Sequence, residues 1–172
     1  MQKRGVRLNL PKTQSFIAPA SLFRRLIAYA VDFLIIRFVI LIPFDALFKK
    51  IIPVQEQGFM AVYHYVQNTP GISRVLFSIT LAVSIMIILY FTIFEYKTQQ
   101  TPGKMLMKQW IVPENKDLTF FNYLVSNLTF LLVFPFIILL LIDLIHMIYS
   151  AKNQRLMEKI SGILVMQKYG AR

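Results

Sequence analysis

Long stretches without a charged residue are the feature that most limits how this chain can fold. Val75–Phe94 contains 20 residues and no charge, and Leu118–Ile142 contains 25. A helix rises 1.5 Å per residue, so about 20 apolar residues cross the roughly 30 Å hydrocarbon layer of a membrane. Leu26–Phe48 is a third hydrophobic stretch, interrupted by three charged residues. The pattern predicts an all-α membrane protein with three hydrophobic helical segments.

The composition excludes several other classes of protein. Hydrophobic residues make up 56% of the 172 residues without counting glycine, which is more than soluble domains contain. The chain has no cysteine, which excludes disulfides and thiol-based zinc or redox centres. The net charge of +11 could indicate nucleic-acid binding, but the long uncharged stretches favour a membrane. We find no metal-binding or catalytic set, and therefore expect no enzyme, no cofactor and no nucleic-acid partner.

Pro135 divides the third segment and leaves two topologies open. Proline removes a helical hydrogen bond and clashes with the preceding turn, so the segment is either a kinked spanning helix or a re-entrant hairpin. Lys and Arg are enriched in cytoplasmic loops. Three full crossings put 10 of these residues inside and 8 outside, whereas a hairpin puts 15 inside and 3 outside. These counts favour the hairpin, while the absence of Gly or Asn at the turn favours the kink.

We divide the chain into a basic N-terminal tail (1–20), a transmembrane domain (21–167) and a C-terminal tail (168–172). The first tail lacks the apolar core of a cleaved signal peptide. We expect it to lie on anionic lipid, at about 1 kcal/mol per basic residue, on the cytoplasmic side of a prokaryotic cell membrane that the chain crosses more than once. Residues 104–112 and 162–167 are β-prone and could pair as a small ribbon.

Charged residues inside the first segment are candidates for function. Asp32 lies six residues past the start of the stretch, roughly 9 Å along the helix. Arg25 lies on the same helical face. Asp32 is therefore either a proton- or cation-binding carboxylate or, slightly favoured, half of a structural ion pair. Arg37 is deeper and about 140° around the helix from Asp32. It needs a partner from another helix, a cavity or a second subunit, unless its side chain snorkels to the surface.

Asp143 and His146 form a second candidate pair in the third segment. They are i, i+3 neighbours on a helix and could relay a proton, because histidine titrates near neutral pH. The alternative is a helix end at the membrane interface. Glu95 closes the second segment. A re-entrant third segment would gather Arg25, Asp32, Glu95, Asp143 and His146 at one membrane face, whereas three crossings would separate them.

Thr101-Pro102-Gly103-Lys104 is the most distinctive short motif. Proline suits position i+1 and glycine position i+2 of a type II turn, so we predict such a turn here. A phosphate-binding loop would need glycine at position 98 and serine or threonine at position 105. Thr98 and Met105 occupy these positions, which excludes that motif.

The chain resembles the RDD family of small membrane proteins in three blocks. These are RRLIAYAVD at 24–32, TPGK at 101–104 followed by WIV at 110–112, and QRLMEKISGILV at 154–165. With the helices between them, the blocks span about residues 20–167. Their order and spacing identify the chain as similar to this family.

The resemblance implies which residues matter. The family takes its name from one arginine and two aspartates, and Arg25 (or Arg24) and Asp32 match the first two. Glu158 aligns with the third, where the family usually has aspartate. The departures from the family pattern are Glu158 for Asp, Ser126 or Asn127 for an Arg before the third helix, and Ile163 for the Thr that follows Gly162. The chain is thus similar to a divergent member.

Two functional hypotheses follow. Some family members are linked to sodium/proton exchange, and a eukaryotic relative to membrane-protein quality-control complexes. The first hypothesis is a small cation/proton exchanger that uses intramembrane carboxylates. It would be a homo-oligomer, because one chain has too few helices to enclose a pathway easily. The second is a non-catalytic accessory or assembly subunit of a larger membrane complex. A third, weaker option is that the basic tails mainly bind anionic lipid.

Overall fold

The structure is a computed structural model that describes residues 16–51, 59–114, 117–133 and 135–169. The chain is mostly helical, with one small sheet. The helices are α1 (Leu22–Ile36), α2 (Ile42–Ile51), α3 (Phe59–Asn68), α4 (Ile72–Thr98), α5 (Pro102–Leu106), α6 (Phe120–Asn127), α7 (Ile137–Tyr149) and α8 (Leu156–Ser161). A π-helical turn (Arg37–Leu41) joins α1 to α2, and a 3-10 turn (Leu128–Phe130) follows α6. The strands are β1 (Phe16–Pro19), β2 (Gln109–Pro113) and β3 (Ile163–Tyr169).

Two helices are long and apolar enough to cross a membrane. The first is continuous from Leu22 to Ile51, with a mean hydropathy of 2.3 over its most apolar part. Its π-helical turn contains a hydrogen bond from the Ile42 N–H to the Arg37 carbonyl, five residues apart. The second is α4, with a mean hydropathy of 2.4. It ends before Gln99, whose positive φ of 56° is typical of a helix terminus.

The third hydrophobic stretch is not one continuous helix. It forms α6, a 3-10 turn and α7, and residues 131–133 and 135–136 between them are not helical. Residue 134 lies outside the described residues. Pro135 lies just before α7, where a proline does not disrupt an established helix. At 13 residues, α7 is about 20 Å long, shorter than the membrane hydrocarbon layer.

The three strands form an antiparallel sheet in the order β1-β3-β2. In the β2–β3 pair, Trp110 lies opposite Met166 and Val112 opposite Leu164. This pairing confirms the predicted ribbon, although its start is different: residues 102–106 form α5 rather than a strand. The sequence analysis did not predict β1. The sheet brings the start of α1 and the end of α4 to the same end of the molecule.

The core consists of two apolar clusters. One lies between α1, α4 and the 3-10 turn and includes Ile36, Ile87, Phe91 and Phe130. The other lies against the sheet and includes Ile111, Tyr123, Ile163 and Val165. Outward-facing side chains of α1 and α7 are large and apolar, as expected for helices in lipid; for example, Leu34 is 55% exposed and Ile145 is 56% exposed.

Candidate functional site

Seven charged side chains are buried together at the end of the helices that faces the sheet. Each is no more than 3% exposed. We call them the buried charge cluster; its members are Arg25, Asp32, Glu95, Lys104, Asp143, Arg155 and Glu158. Four are carboxylates and three are cations. Burying a charge costs several kcal/mol unless partners compensate it, so the partners of each side chain decide what the cluster can do.

Glu158 is the centre of the largest group. Its Oε1 accepts hydrogen bonds from Arg25 Nη2 and, at 3.0 Å, from Arg155 Nε. Its Oε2 accepts from the Arg155 backbone N–H at 3.0 Å, which caps the start of α8. Burial alone would raise the pKa of Glu158, but the two guanidinium groups and Lys104 outweigh it and hold this pKa well below its usual range. Arg155 also lies over the ring of Tyr29, 5.3 Å from its centre.

Arg25 therefore pairs with Glu158 rather than with Asp32. The ion pair expected within α1 is absent from the hydrogen bonds and salt bridges of the described residues. Two helical turns separate Arg25 from Asp32, about 10 Å of helical rise. Arg25 extends instead across the sheet end of the molecule, where Nη1 donates to the Asn153 carbonyl.

Asp32 is held by neutral groups. Its Oδ2 accepts from the Thr101 hydroxyl at 2.5 Å, and its Oδ1 accepts from the Gly103 N–H at 2.8 Å and the Tyr90 hydroxyl at 3.3 Å. Among the described residues Asp32 forms no salt bridge, whereas Glu95 and Glu158 both do.

The motif at 101–104 forms the first turn of α5, which corrects the predicted type II turn. Thr101 is the N-cap residue and Pro102 follows at the first helical position, which suits a residue without an N–H. A Cβ atom on Gly103 would lie 2.0 Å from the Ala28 carbonyl oxygen and 2.8 Å from Asp32 Oδ2. Only glycine permits this approach of α5 to α1, so the motif holds Asp32 in place.

Glu95 and Lys104 form the second buried ion pair. Lys104 Nζ lies 2.6 Å from Glu95 Oε1, and Asn127 Nδ2 donates to Glu95 Oε2 at 2.8 Å. Burial would lower the pKa of Lys104, but the Glu95 carboxylate outweighs it, so the pKa is raised and the ammonium stays charged. The sequence analysis placed Lys104 in a turn and at the start of the β-prone stretch 104–112, and did not predict this ion pair.

Asp143 and His146 form no hydrogen bond with each other, although a direct proton relay would require one. Asp143 accepts from the Thr129 hydroxyl at 2.5 Å and from the Met157 N–H at 3.0 Å. His146 is only half-buried, and its Nδ1 faces the Gln154 carbonyl at 2.8 Å. A carbonyl only accepts, so Nδ1 carries a proton.

The structure brings together most of the residues proposed from the sequence. Asp32, Glu95 and Asp143 join Arg25 in one cluster, as a re-entrant third segment predicts, while His146 lies at its edge. Arg37 is elsewhere: it is exposed on the π-helical turn.

Arg155 and two polar residues that contact the cluster, Asn127 and Thr129, were given no functional role from the sequence. Arg155 belongs to a quoted block but was assigned no role. Its position three residues before Glu158 is the spacing of a helix capping pair and could have revealed it. Asn127 and Thr129 are polar residues within an uncharged stretch, which was a usable signal for buried hydrogen bonding. The described residues contain no group of three or more His, Asp or Glu that could hold a metal ion.

Comparison with known proteins gives one match. The model of the RDD family matches residues 19–162, which include all of the described helices and every member of the buried charge cluster. Neither a curated protein nor a solved structure matches the chain.

Proposed function

The chain belongs to the RDD family, and we propose that it is a small cation/proton exchanger that uses buried carboxylates. Family membership and the two apolar helices indicate a membrane protein. The observation that carries the proposal is the charge of the buried cluster, in which carboxylates outnumber cations.

The ion pairs within the cluster leave two carboxylates, Asp32 and Asp143, without a salt bridge to the described residues. Arg25 and Arg155 both serve Glu158, and Lys104 serves Glu95. Asp143 accepts hydrogen bonds from the Thr129 hydroxyl and the Met157 N–H. Asp32 likewise has only neutral donors, from Tyr90, Thr101 and Gly103. Because a buried unpaired charge is unfavourable, the cluster is most stable with one additional positive charge. A proton or a monovalent cation at Asp32 would supply it.

The arrangement of the sheet supports a particular topology. Pairing of β1 and β2 with β3 is compatible with both chain ends and the 99–119 loop on one side of the membrane. We propose that this side is the cytoplasm of a prokaryotic cell, that two helices cross the membrane, and that α6 and α7 enter and return. The basic tail would rest on anionic lipid, although residues 1–15 lie outside the described residues. Two crossing helices cannot enclose a pathway, so we propose a homo-oligomer.

The test is ion exchange by the purified protein in lipid vesicles. A sodium pulse outside should change the internal pH, as reported by an enclosed dye. Asp32→Asn removes the charge while keeping the size of the side chain, and we expect it to abolish exchange. Asp45→Asn is the matched control, because Asp45 is exposed on α2. Exchange that persists unchanged in Asp32→Asn would exclude Asp32 as the carrier site.

One observation favours the second candidate, a non-catalytic accessory or assembly subunit. Arg37 is exposed in the middle of an apolar helix of 30 residues and forms no ion pair with the described residues. A charge at that depth in lipid is unfavourable without a partner. A carboxylate on the helix of another subunit would satisfy it.

Purification from native membranes in a gentle detergent tests this alternative. A stoichiometric partner should copurify with the natural chain and be lost with Arg37→Gln. Lys49→Gln is the control, since Lys49 is exposed near the end of the same helix. Recovery only as a uniform homo-oligomer would contradict the accessory role.

A further inference from the structure

A polar cavity of about 430 Å³ lies where α7 ends, outside the buried charge cluster. The last turn of α7, the loop that follows it, the residue after β2 and one residue of α8 line this cavity. Its charged lining residues are Glu114, Lys152 and Lys159, and Tyr149 and Ser150 add hydroxyl groups. The volume lies within the range for small-molecule sites.

The lining of this cavity carries a net positive charge. Lys152 forms a salt bridge with Glu114, and Gln154 Nε2 donates to the same carboxylate at 3.3 Å. Lys159, in contrast, is exposed and forms no salt bridge with the described residues. One ammonium group therefore remains without a carboxylate, and protonation of His146, which also lines the cavity, would add to this charge. The charge of the lining favours an occupant with one negative charge.

A stripe of exposed apolar side chains leads away from the cavity along α7. Tyr149, in the last turn of α7, lines the cavity. The isoleucines at four, seven and eleven residues before it lie on the same face of the helix; they are Ile145, Ile142 and Ile138. These three side chains are between 40% and 56% exposed. The stripe extends about 16 Å from Tyr149 along the helix axis, so an occupant of the cavity can lay an apolar chain against it.

The order of these groups matches the order of groups in a membrane phospholipid. The cavity lies at the sheet end of α7, and the isoleucines lie toward the interior of the membrane. A phospholipid has its charged phosphate at the membrane surface and its acyl chains directed inward. A free phosphate compound would contact only the cavity and would gain nothing from the isoleucines.

We propose that this cavity binds the phosphate group of an anionic phospholipid, with Lys159 as the cation that pairs with it and an acyl chain along the isoleucines of α7. The hydroxyl groups of Tyr149 and Ser150 line the same cavity and are further donors for phosphate oxygens. This site lies outside both terminal tails. Lipid binding here does not require that the chain exchanges ions at Asp32.

Two phospholipids with the same acyl chains and different charge test the proposal. Dioleoylphosphatidylglycerol has one negative charge, and dioleoylphosphatidylcholine has no net charge. The purified full chain in a neutral detergent is titrated with each, and bound lipid is measured by native mass spectrometry. We expect phosphatidylglycerol to bind about fivefold more tightly, the effect of one basic residue at an anionic membrane surface. Glycerophosphoglycerol, which is the same head group without acyl chains, should not displace it.

Matched variants distinguish this site from the general positive charge of the protein. Lys159→Gln should abolish the preference for phosphatidylglycerol. Lys97→Gln should keep it, because Lys97 is exposed at the end of α4 but does not line the cavity. Ala151 lines the cavity and is exposed, so Ala151→Trp should fill the cavity and weaken the binding of phosphatidylglycerol. Ala46→Trp, on the exposed side of α2, is its control and should bind as the natural chain does.

Four outcomes would each overturn the proposal. Equal binding of the two phospholipids would show that charge does not select the occupant. Equal losses in Lys159→Gln and Lys97→Gln would assign the preference to overall charge. Undiminished binding by Ala151→Trp would place the lipid elsewhere, and displacement by glycerophosphoglycerol would make the site one for soluble phosphate compounds.

Discussion

Arg25 and Arg37 lie twelve residues apart on one continuous helix and have opposite surroundings. Arg25 is 1% exposed and pairs with Glu158 from the other end of the chain. Arg37 is exposed on the π-helical turn and forms no ion pair with the described residues. The sheet end of the molecule thus satisfies its charges internally, while the middle of the helix leaves one for its environment. Sequence position in an apolar stretch does not distinguish the two; tertiary contacts do.

Removal of the Glu158 carboxylate should destabilise the sheet end of the molecule more than any other substitution considered. Glu158→Gln leaves Arg25 and Arg155 buried without their shared carboxylate, and we expect the free energy of unfolding to fall by about 3–5 kcal/mol. Thermal unfolding in detergent measures the change. Glu114→Gln is the control, because Glu114 forms a partly exposed pair with Lys152 that is worth less than about 1 kcal/mol. Similar losses in both variants would contradict the central role of Glu158.

The same substitution at Arg25 and at Arg37 tests the difference between the two arginines directly. Arg25→Gln should also lower the free energy of unfolding by about 3–5 kcal/mol, because it removes one partner of a buried pair. Arg37→Gln should change the stability of the isolated protein by no more than about 0.5 kcal/mol, as exposed substitutions usually do. Denaturant unfolding of both variants in the same detergent makes the measurement. A large loss in Arg37→Gln would mean that this side chain has a partner within the chain.

Gly103→Ala tests how closely α5 must approach α1. The added Cβ would overlap the Ala28 carbonyl oxygen, and we expect a loss of about 1–3 kcal/mol, the usual effect of overpacking. Gly162→Ala is the control with open space around the Cβ but a positive φ of 73°, and it should cost about 1 kcal/mol. Thermal unfolding compares the two. A milder effect at Gly103 would show that the two helices separate easily.

The smallest expected effect is a change of stability with pH. Glu158 has a folded-state pKa below its ordinary value of 4.5. Its contribution is therefore fully present above that value and is lost as the pH falls through it toward the folded-state pKa. We expect the unfolding midpoint in detergent to decline below about pH 5, and to decline less in Glu158→Gln. Identical pH profiles for the two proteins would assign the decline to other groups.

The sequence predicted what depends on local pattern. The uncharged stretch of α4 and the β-prone residues of β2 and β3 are readable from neighbouring residues, and all three elements form. The resemblance indicated Glu158. Helical spacing misled at Arg25, because sharing a face with Asp32 says nothing about a competing partner 133 residues away. The residues at 101–104 suit a turn and a helix start equally well. The choice between the two depends on the close packing of Gly103 against Ala28, which the motif alone does not reveal.

The antiparallel pairing of β1 with β3 gives the molecule an order of assembly. Residues 16–19 and Arg25 are synthesised early, but their partners at 166–169 and Glu158 follow more than 130 residues later. Until Glu158 is synthesised, Arg25 at the start of the first helix lacks its final partner and can pair with other groups instead. The nascent protein is therefore most accessible to chaperones and proteases in the interval between synthesis of α1 and synthesis of β3.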